Sequence, residues 1–232
     1  MGRVGNTHPK LAARMAARAV LLIVLLDGIL FGVAGRISWR GAWLLTALFL
    51  SSLVVVLAWA LKKAPDLLEE RINPGANVKS WDKAILAVYQ SLLLAVLAAA
   101  GLDARFRNST MPLVIQIAGA AAFLALVGCI WWTMSANAYL SSRARIQSDR
   151  QQQVATGGPY HYVRHPMYVA IVLLVPTMAL VLGSWWALIP AALVGPLFMI
   201  RTALEDRMLL EELAGYRDYA SRVRYRLVPG IW

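Results

Sequence analysis

The chain has 232 residues, 59% of them hydrophobic, and a formal net charge of +11. Its mean hydropathy of +0.59 is too high for an ordinary soluble domain. The basic excess does not point to nucleic acid, because the lysines and arginines cluster between long apolar runs and divide unequally about them.

A hydrocarbon core about 30 Å thick takes roughly 20 helical residues to cross. Six apolar segments meet or approach that length: 17–35, 41–61, 84–102, 111–134, 167–182 and 185–200. The first is predicted to be a retained span rather than a signal peptide. No small-residue cleavage site follows it, and Asp27 interrupts its core. An ionisable residue at that depth is a functional candidate. A satisfied interhelical hydrogen bond beside Gly28 reads equally well.

A short turn joins the first two spans as an antiparallel pair. In the longer loop 62–83, Leu67-Leu68 beside Glu69-Glu70 predicts an interfacial helix, broken at Asn73-Pro74-Gly75. Asn108-Ser109-Thr110, between the third and fourth spans, matches a glycosylation sequon, a short pattern that recurs by chance. Cys129 in the fourth span is the single cysteine, so no intrachain disulfide forms, and it reads as a small apolar residue. Residues 135–153 turn polar while keeping a helical composition, which predicts that the fourth helix continues beyond the membrane.

The fifth and sixth segments are short, are split by Gly183-Ser184, and contain Pro176, Pro190 and Pro196. They predict a tight helical hairpin, each arm near the lower length limit for a span, so that a full crossing and a turn short of the far face are both open readings. Residues 201–220 then read as a separate amphipathic helix, with Leu204, Met208, Leu209 and Leu213 on its apolar side and Pro229-Gly230 as the stop beyond it. The Trp pairs 131–132 and 185–186 read as interface belts or packing. With the N-terminus cytoplasmic, nineteen lysines and arginines fall inside, and Arg36, Arg40, Arg105 and Arg107 fall outside. The expectation is an all-α integral membrane protein with both termini cytoplasmic. It has five to six transmembrane helices, including the short hairpin, followed by the cytoplasmic amphipathic helix. The basic side would touch anionic lipid headgroups. A bacterial inner membrane is the expected location, and residues 1–232 are expected to form one domain, with spans in 1–140 and the chemistry in 141–232.

The chemistry concentrates in Gly157–Tyr168, GGPYHYVRHPMY. Twelve residues hold two glycines, two prolines, three tyrosines, two histidines and an arginine at the edge of an apolar segment. Pro166 suits the first turn of a helix. The free N–H groups of such a turn offer a seat for a carboxylate or phosphate, with His165 just before and Tyr168 three residues on. Gly157 and Gly158 allow close backbone approach to a ligand. Taken singly, Tyr160 and Tyr162 read as interfacial anchors; the whole string reads as a site. On the last helix, Arg201 and Glu205 are four apart and Glu205 and Glu212 two turns apart, so each pair shares a face. A site and a solvated face with routine ion pairs are equally good readings of these three. Asp206 and Glu211 read as solvated. There is no Rossmann fingerprint, P-loop or HExxH, and His8, His161 and His165 are too scattered for a metal.

Arg145-Ile-Gln147, Asp149-Arg150, Thr156-Gly-Gly-Pro-Tyr160 and Val163-Arg-His-Pro-Met-Tyr168, with Glu205 through Gly215-Tyr216, Tyr219, Val223 and Pro229, resemble the isoprenylcysteine carboxyl methyltransferase family and its phospholipid-methyltransferase relatives. The resemblance covers 143–232; earlier spans are generic. It implies a membrane enzyme using S-adenosylmethionine on a lipophilic isoprenoid or lipid acceptor drawn from the bilayer. It implies that Gly158, Pro159, Tyr160, Val163, His165, Pro166 and Tyr168 line the cofactor site with Gln147 nearby. Glu205 and Glu212 would close it, and Arg201 would face the acceptor. Ala170 stands where the motif often has glycine, and Glu205-Asp206 where the family has a Glu pair.

The rival readings are a phospholipid N-methyltransferase, a sterol-type reductase using NADPH, for which the chain is short, and a non-enzymatic membrane scaffold or transporter. The last gives Asp27 more weight than His165 or Glu205.

Overall fold

The computed structural model describes residues 9–75 and 77–232; Arg3 and His8 lie outside them. It is all-helical, with no strand among the described residues. The helices are α1 (Pro9–Ala34), α2 (Arg40–Lys63), α3 (Pro65–Ile72), α4 (Ser80–Phe106), α5 (Leu113–Ala136), α6 (Pro166–Leu182), α7 (Leu188–Ala192), α8 (Val194–Glu212) and α9 (Tyr216–Arg222). Five stretches are long and apolar enough to cross a membrane: 11–34, 40–63, 80–106, 113–136 and 188–212, the last formed by α7 running into α8. The apolar helix α6 is shorter.

α6 is the central post of the bundle, packed on α2, α4, α5, α7 and α8. Between apolar helices in lipid, close packing replaces the hydrophobic effect as the cohesive force, and small residues make it possible. Gly119 of α5 lies where a Cβ would sit 2.6 Å from Leu180 Cβ, and Gly41 of α2 where one would sit 2.9 Å from the Val181 carbonyl oxygen. Gly101 of α4 nests likewise against Val33 of α1. The core therefore follows the inner faces of α1, α2 and α4 around α6, with Leu30, Leu45, Val96, Phe123, Val175, Val181 and Phe198 buried together.

The hairpin turn lies beside the ends of α4 and α5 remote from the charged end of the bundle. Ser184 Oγ donates to Asp103 Oδ2 at 2.5 Å, and Gly183, at φ +74°, packs on Gln116. The turn is therefore level with the far ends of α4 and α5, next to Ser109, which also donates to Asp103. α6 reaches this level in seventeen residues from Pro166.

Two expectations are corrected. The fourth helix does not run on to 153 but stops at Ala136, where Asn137 turns extended and its Oδ1 accepts the Tyr139 N–H at 2.9 Å. Residues 201–220 are not a separate helix either. Arg201 to Glu212 is the end of the same helix that begins at Val194, and the break comes at Leu213 to Gly215. Asp27 takes the hydrogen-bonded reading: it accepts from Thr46 Oγ1 of α2 at 2.6 Å.

Candidate functional site

At the end of the bundle opposite the hairpin turn, α3, the 137–165 segment and the C-terminal residues close over the starts of α4 and α6 and the end of α8. They enclose a cavity of about 250 Å³. Its wall takes Arg71 from α3, Tyr89 from α4, Asn137 and Gln147 from the connecting segment, and His165, Met167 and Tyr168 from the start of α6. Phe198, Arg201 and Glu205 come from α8, and Tyr216 and Tyr219 from α9.

Pro166 opens α6 as expected, with His165 as its N-cap. The anion seat at that helix start is largely filled, because the N–H groups of Tyr168 and Val169 both donate to the His165 carbonyl. The side chains carry the site instead. The rings of His165 and Tyr168 stack, their centroids 5.5 Å apart and their planes 9° from parallel. Tyr168 Oη donates to Glu205 Oε2. The Arg201 guanidinium sits 4.9 Å from the centre of the Tyr168 ring, within cation–π range. Phe198 meets Tyr168 edge-on at 5.2 Å and Tyr89 at 5.1 Å. His165, Tyr168, Arg201 and Glu205 thus form one contiguous wall. Arg201 and Glu205 share a helix face as expected, but Arg201 does not pair with Glu205. It pairs with Asp82 of α4, Nη2 to Oδ1 at 2.8 Å.

Buried carboxylates behind the wall hold these groups in place. Asp82, fully buried, also accepts the Ala144 N–H at 3.1 Å. Glu70 of α3 takes Arg145 in a fork, 2.9 Å from Nε and 2.7 Å from Nη2, and accepts from Ser141. Burial pushes the Glu70 carboxyl up, but the bonds from Arg145 and Ser141 outweigh it and hold it below its ordinary value. Asp206, expected on a solvated face, is fully buried instead. It lies 3.4 Å from His165 Nε2, accepts from Tyr216 Oη at 2.9 Å and Arg226 Nε at 2.8 Å, and faces Arg164 at 3.3 Å. A charge can be buried at tolerable cost only when so surrounded.

Tyr160 lines the cavity, its hydroxyl accepting from Asn137 Nδ2 at 2.9 Å and its carbonyl from Tyr219 Oη at 2.7 Å. Burial raises the Tyr160 hydroxyl above the ordinary phenol value, so it stays protonated. Gln147 lines it too, with both amide ends used: Nε2 donates to the Tyr139 carbonyl at 2.5 Å and Oε1 accepts from Arg150 at 2.7 Å. Gly158, Pro159, Val163 and Pro166 are not in the wall. Gly158, at φ +59°, fits under α5, where a Cβ would sit 2.9 Å from that of Ala136, which is a packing reason for glycine at this position. Glu212 is also outside the wall, paired with Lys79 at 2.7 Å on the surface.

Arg71, Asp82, Tyr89 and Asn137 escaped the sequence reading. Asp82 had a weak signal, an acid in the first turn of a span. Arg71 and Tyr89 had none, because the residues they meet, Leu140 and Phe198, lie far away in the chain.

This donor set suits a polar cofactor with an aromatic base and an amino-acid end. Tyr89, Tyr160, Tyr168 and Phe198 offer faces and edges for a ring. The Glu205 carboxylate, the guanidinium groups and the Asn137 amide offer partners for charged and hydroxyl groups. Arg164 Nε is buried with no partner among the described residues, which leaves a donor for a ligand to meet.

The chain matches no curated protein. The family model for phospholipid methyltransferase matches residues 114–214. That stretch runs from α5 to the residue before Gly215 and contains His165, Tyr168, Arg201 and Glu205, but not α1 to α4 or α9. The match points to a membrane methyltransferase, a class that typically takes its methyl group from S-adenosylmethionine.

Proposed function

We propose that this protein transfers the methyl group of S-adenosylmethionine to a lipophilic acceptor, and that the acceptor group is a carboxylate like that of an isoprenylated cysteine. The observation that carries the reading is the His165–Tyr168–Glu205–Arg201 wall, placed where the apolar bundle meets its charged end. A polar donor can reach that level from water and a greasy acceptor from between the helices.

S-adenosylmethionine, when bound, supplies an electrophilic methyl carbon open to in-line displacement. Alignment and exclusion of water are then most of what the protein must provide. The residues suit that task. Tyr168 is fixed on one side by the stacked His165 ring and at its hydroxyl by Glu205, so its ring is a rigid floor. Arg201 is fixed by Asp82, and its guanidinium can orient an acceptor oxyanion over that floor. A carboxylate acceptor is already ionised at neutral pH and needs no base. An amine acceptor must shed a proton, and Glu205 is then the nearest carboxylate to take it. The second reading, phospholipid N-methylation, is favoured by the name of the matched family.

The full chain in lipid vesicles, given donor tritiated at the methyl group, separates the two. With N-acetyl-S-farnesylcysteine the label should appear in an ester that releases volatile methanol in mild base. Base-stable label in phosphatidylethanolamine would favour the second reading, and label in neither acceptor would count against both.

A further inference from the structure

Five arginines line the cavity: Arg71, Arg143, Arg145, Arg164 and Arg201. Three have acidic partners among the described residues: Arg145 has Glu70 and Asp149, Arg164 has Asp206, and Arg201 has Asp82. Arg143 has none among the described residues. Arg71 differs from both groups. It is half-buried, its guanidinium bonded to a single backbone oxygen, that of Leu140, at a long 3.4 Å from Nη1. No carboxylate lies within 4 Å of it among the described residues. Burial, and to a lesser degree the like charge of Arg201, lowers its pKa from the usual arginine value; the nearby Tyr160 hydroxyl opposes this. It still carries its charge, at an uncompensated desolvation cost.

The arrangement around Arg71 is built. Its neighbour Glu70 is locked by Arg145 and Ser141, and its own carbonyl meets Ser142 Oγ at 3.5 Å. The helix cannot easily roll to put the side chain back in water. A fork of five N–H donors held in a cavity with one weak acceptor is the geometry that binds a carboxylate or phosphate with two parallel bonds.

We infer that Arg71 is a further oxyanion-binding residue of this cavity, beside Arg201, gripping a carboxylate or phosphate group of a ligand in a two-pronged contact. In the methyltransferase reading, on which the choice of ligand rests, that group is either the α-carboxylate of the donor or the anionic group of the acceptor. Arg71 stands outside the stretch that the family model matches, so it is a contribution of this chain's own N-terminal half.

The test uses the full chain in detergent, with R71Q and R71K beside the wild type. The first arm is independent of any methyl donor: inorganic sulfate at millimolar concentration should raise the melting temperature of the wild type, weakly that of R71K, and not that of R71Q. The second arm titrates S-adenosylmethionine and its decarboxylated analogue by calorimetry. The third titrates N-acetyl-S-farnesylcysteine and its methyl ester. A charged hydrogen-bonded pair of this kind is worth roughly a 10- to 100-fold preference for the acid form. R71Q should abolish that preference in the arm that holds the true source and leave the other arm alone. Sulfate stabilisation lost in R71Q without any S-adenosylmethionine binding would uphold the oxyanion site and sink the methyltransferase reading. R71Q matching the wild type in all three arms would overturn the inference. R71K, which keeps the charge, separates these results from a folding defect.

Discussion

Asp206 and His165, 41 positions apart in the chain, meet at 3.4 Å inside the protein, Oδ1 to Nε2, with the carboxylate fully buried. The same carboxylate gathers Tyr216, Arg226 and Arg164, so α8, α9, the C-terminal residues and the start of α6 converge on one charge. The C-terminal stretch reinforces this through backbone bonds, Arg164 N–H to the Tyr225 carbonyl and His165 N–H to the Arg226 carbonyl.

Asp206→Ala should therefore destabilise the protein strongly, by roughly 3–5 kcal/mol, because it strands buried cations. The exposed neighbour Glu211 should tolerate alanine within about 0.5 kcal/mol. Thermal unfolding of the two variants in detergent measures the contrast, and equal losses would show that Asp206 is not the hub.

Tyr168→Phe keeps the ring stacked on His165 and removes only the hydroxyl that reaches Glu205. Stability should drop by about 1 kcal/mol, while methyl transfer drops more than the melting temperature explains. Glu205→Gln should weaken donor binding by roughly 10- to 100-fold, as expected for loss of a charged partner. Glu212→Gln should cost no more than about 1 kcal/mol, because its partner Lys79 is partly exposed. Donor titration of both glutamate variants checks whether Glu212 has any part in the site.

The Glu70–Arg145 anchor sets an acid limit. The Glu70 pKa is below its ordinary 4.5 in the folded protein, so the stability it contributes is complete above about 4.5 and is lost as pH falls through the folded value. Unfolding should show no Glu70-dependent change between about pH 7 and 5, then a decline that Glu70→Gln lessens. A Glu70-dependent loss at neutral pH would contradict the sign.

Gly158→Ala should be destabilising by about 1–3 kcal/mol, since a Cβ there meets Ala136 at 2.9 Å in a left-handed backbone conformation. Gly157→Ala meets nothing within 4 Å and should be close to neutral. Chemical denaturation of the pair distinguishes packing from ligand approach as the reason for the Gly-Gly sequence.

What was legible in the sequence was local. Long apolar runs gave the helices, Pro166 gave the start of α6 and Gly183 its end, because hydropathy, the missing proline N–H and a positive φ act within one or two turns. The site wall was legible in part: His165, Tyr168, Arg201 and Glu205 do come together. The partners that position them were not, since Asp82 and Arg201 are 119 residues apart and nothing near either residue announces the other. The same blindness made Asp206 look solvated, as a carboxylate between Glu205 and Arg207 does when its distant cations are unseen. The end of the fourth helix at Ala136 was missed because composition alone cannot show that Asn137 folds back on Tyr139.

The most direct test is calorimetric titration of the detergent-solubilised full chain with S-adenosylmethionine, with NADPH run in parallel. Saturable binding of S-adenosylmethionine, weakened at least tenfold in His165→Ala, and no saturable binding of NADPH are the expected results. Saturable NADPH binding without S-adenosylmethionine would contradict the methyltransferase assignment in favour of a reductase, and binding of neither would leave a non-enzymatic membrane protein.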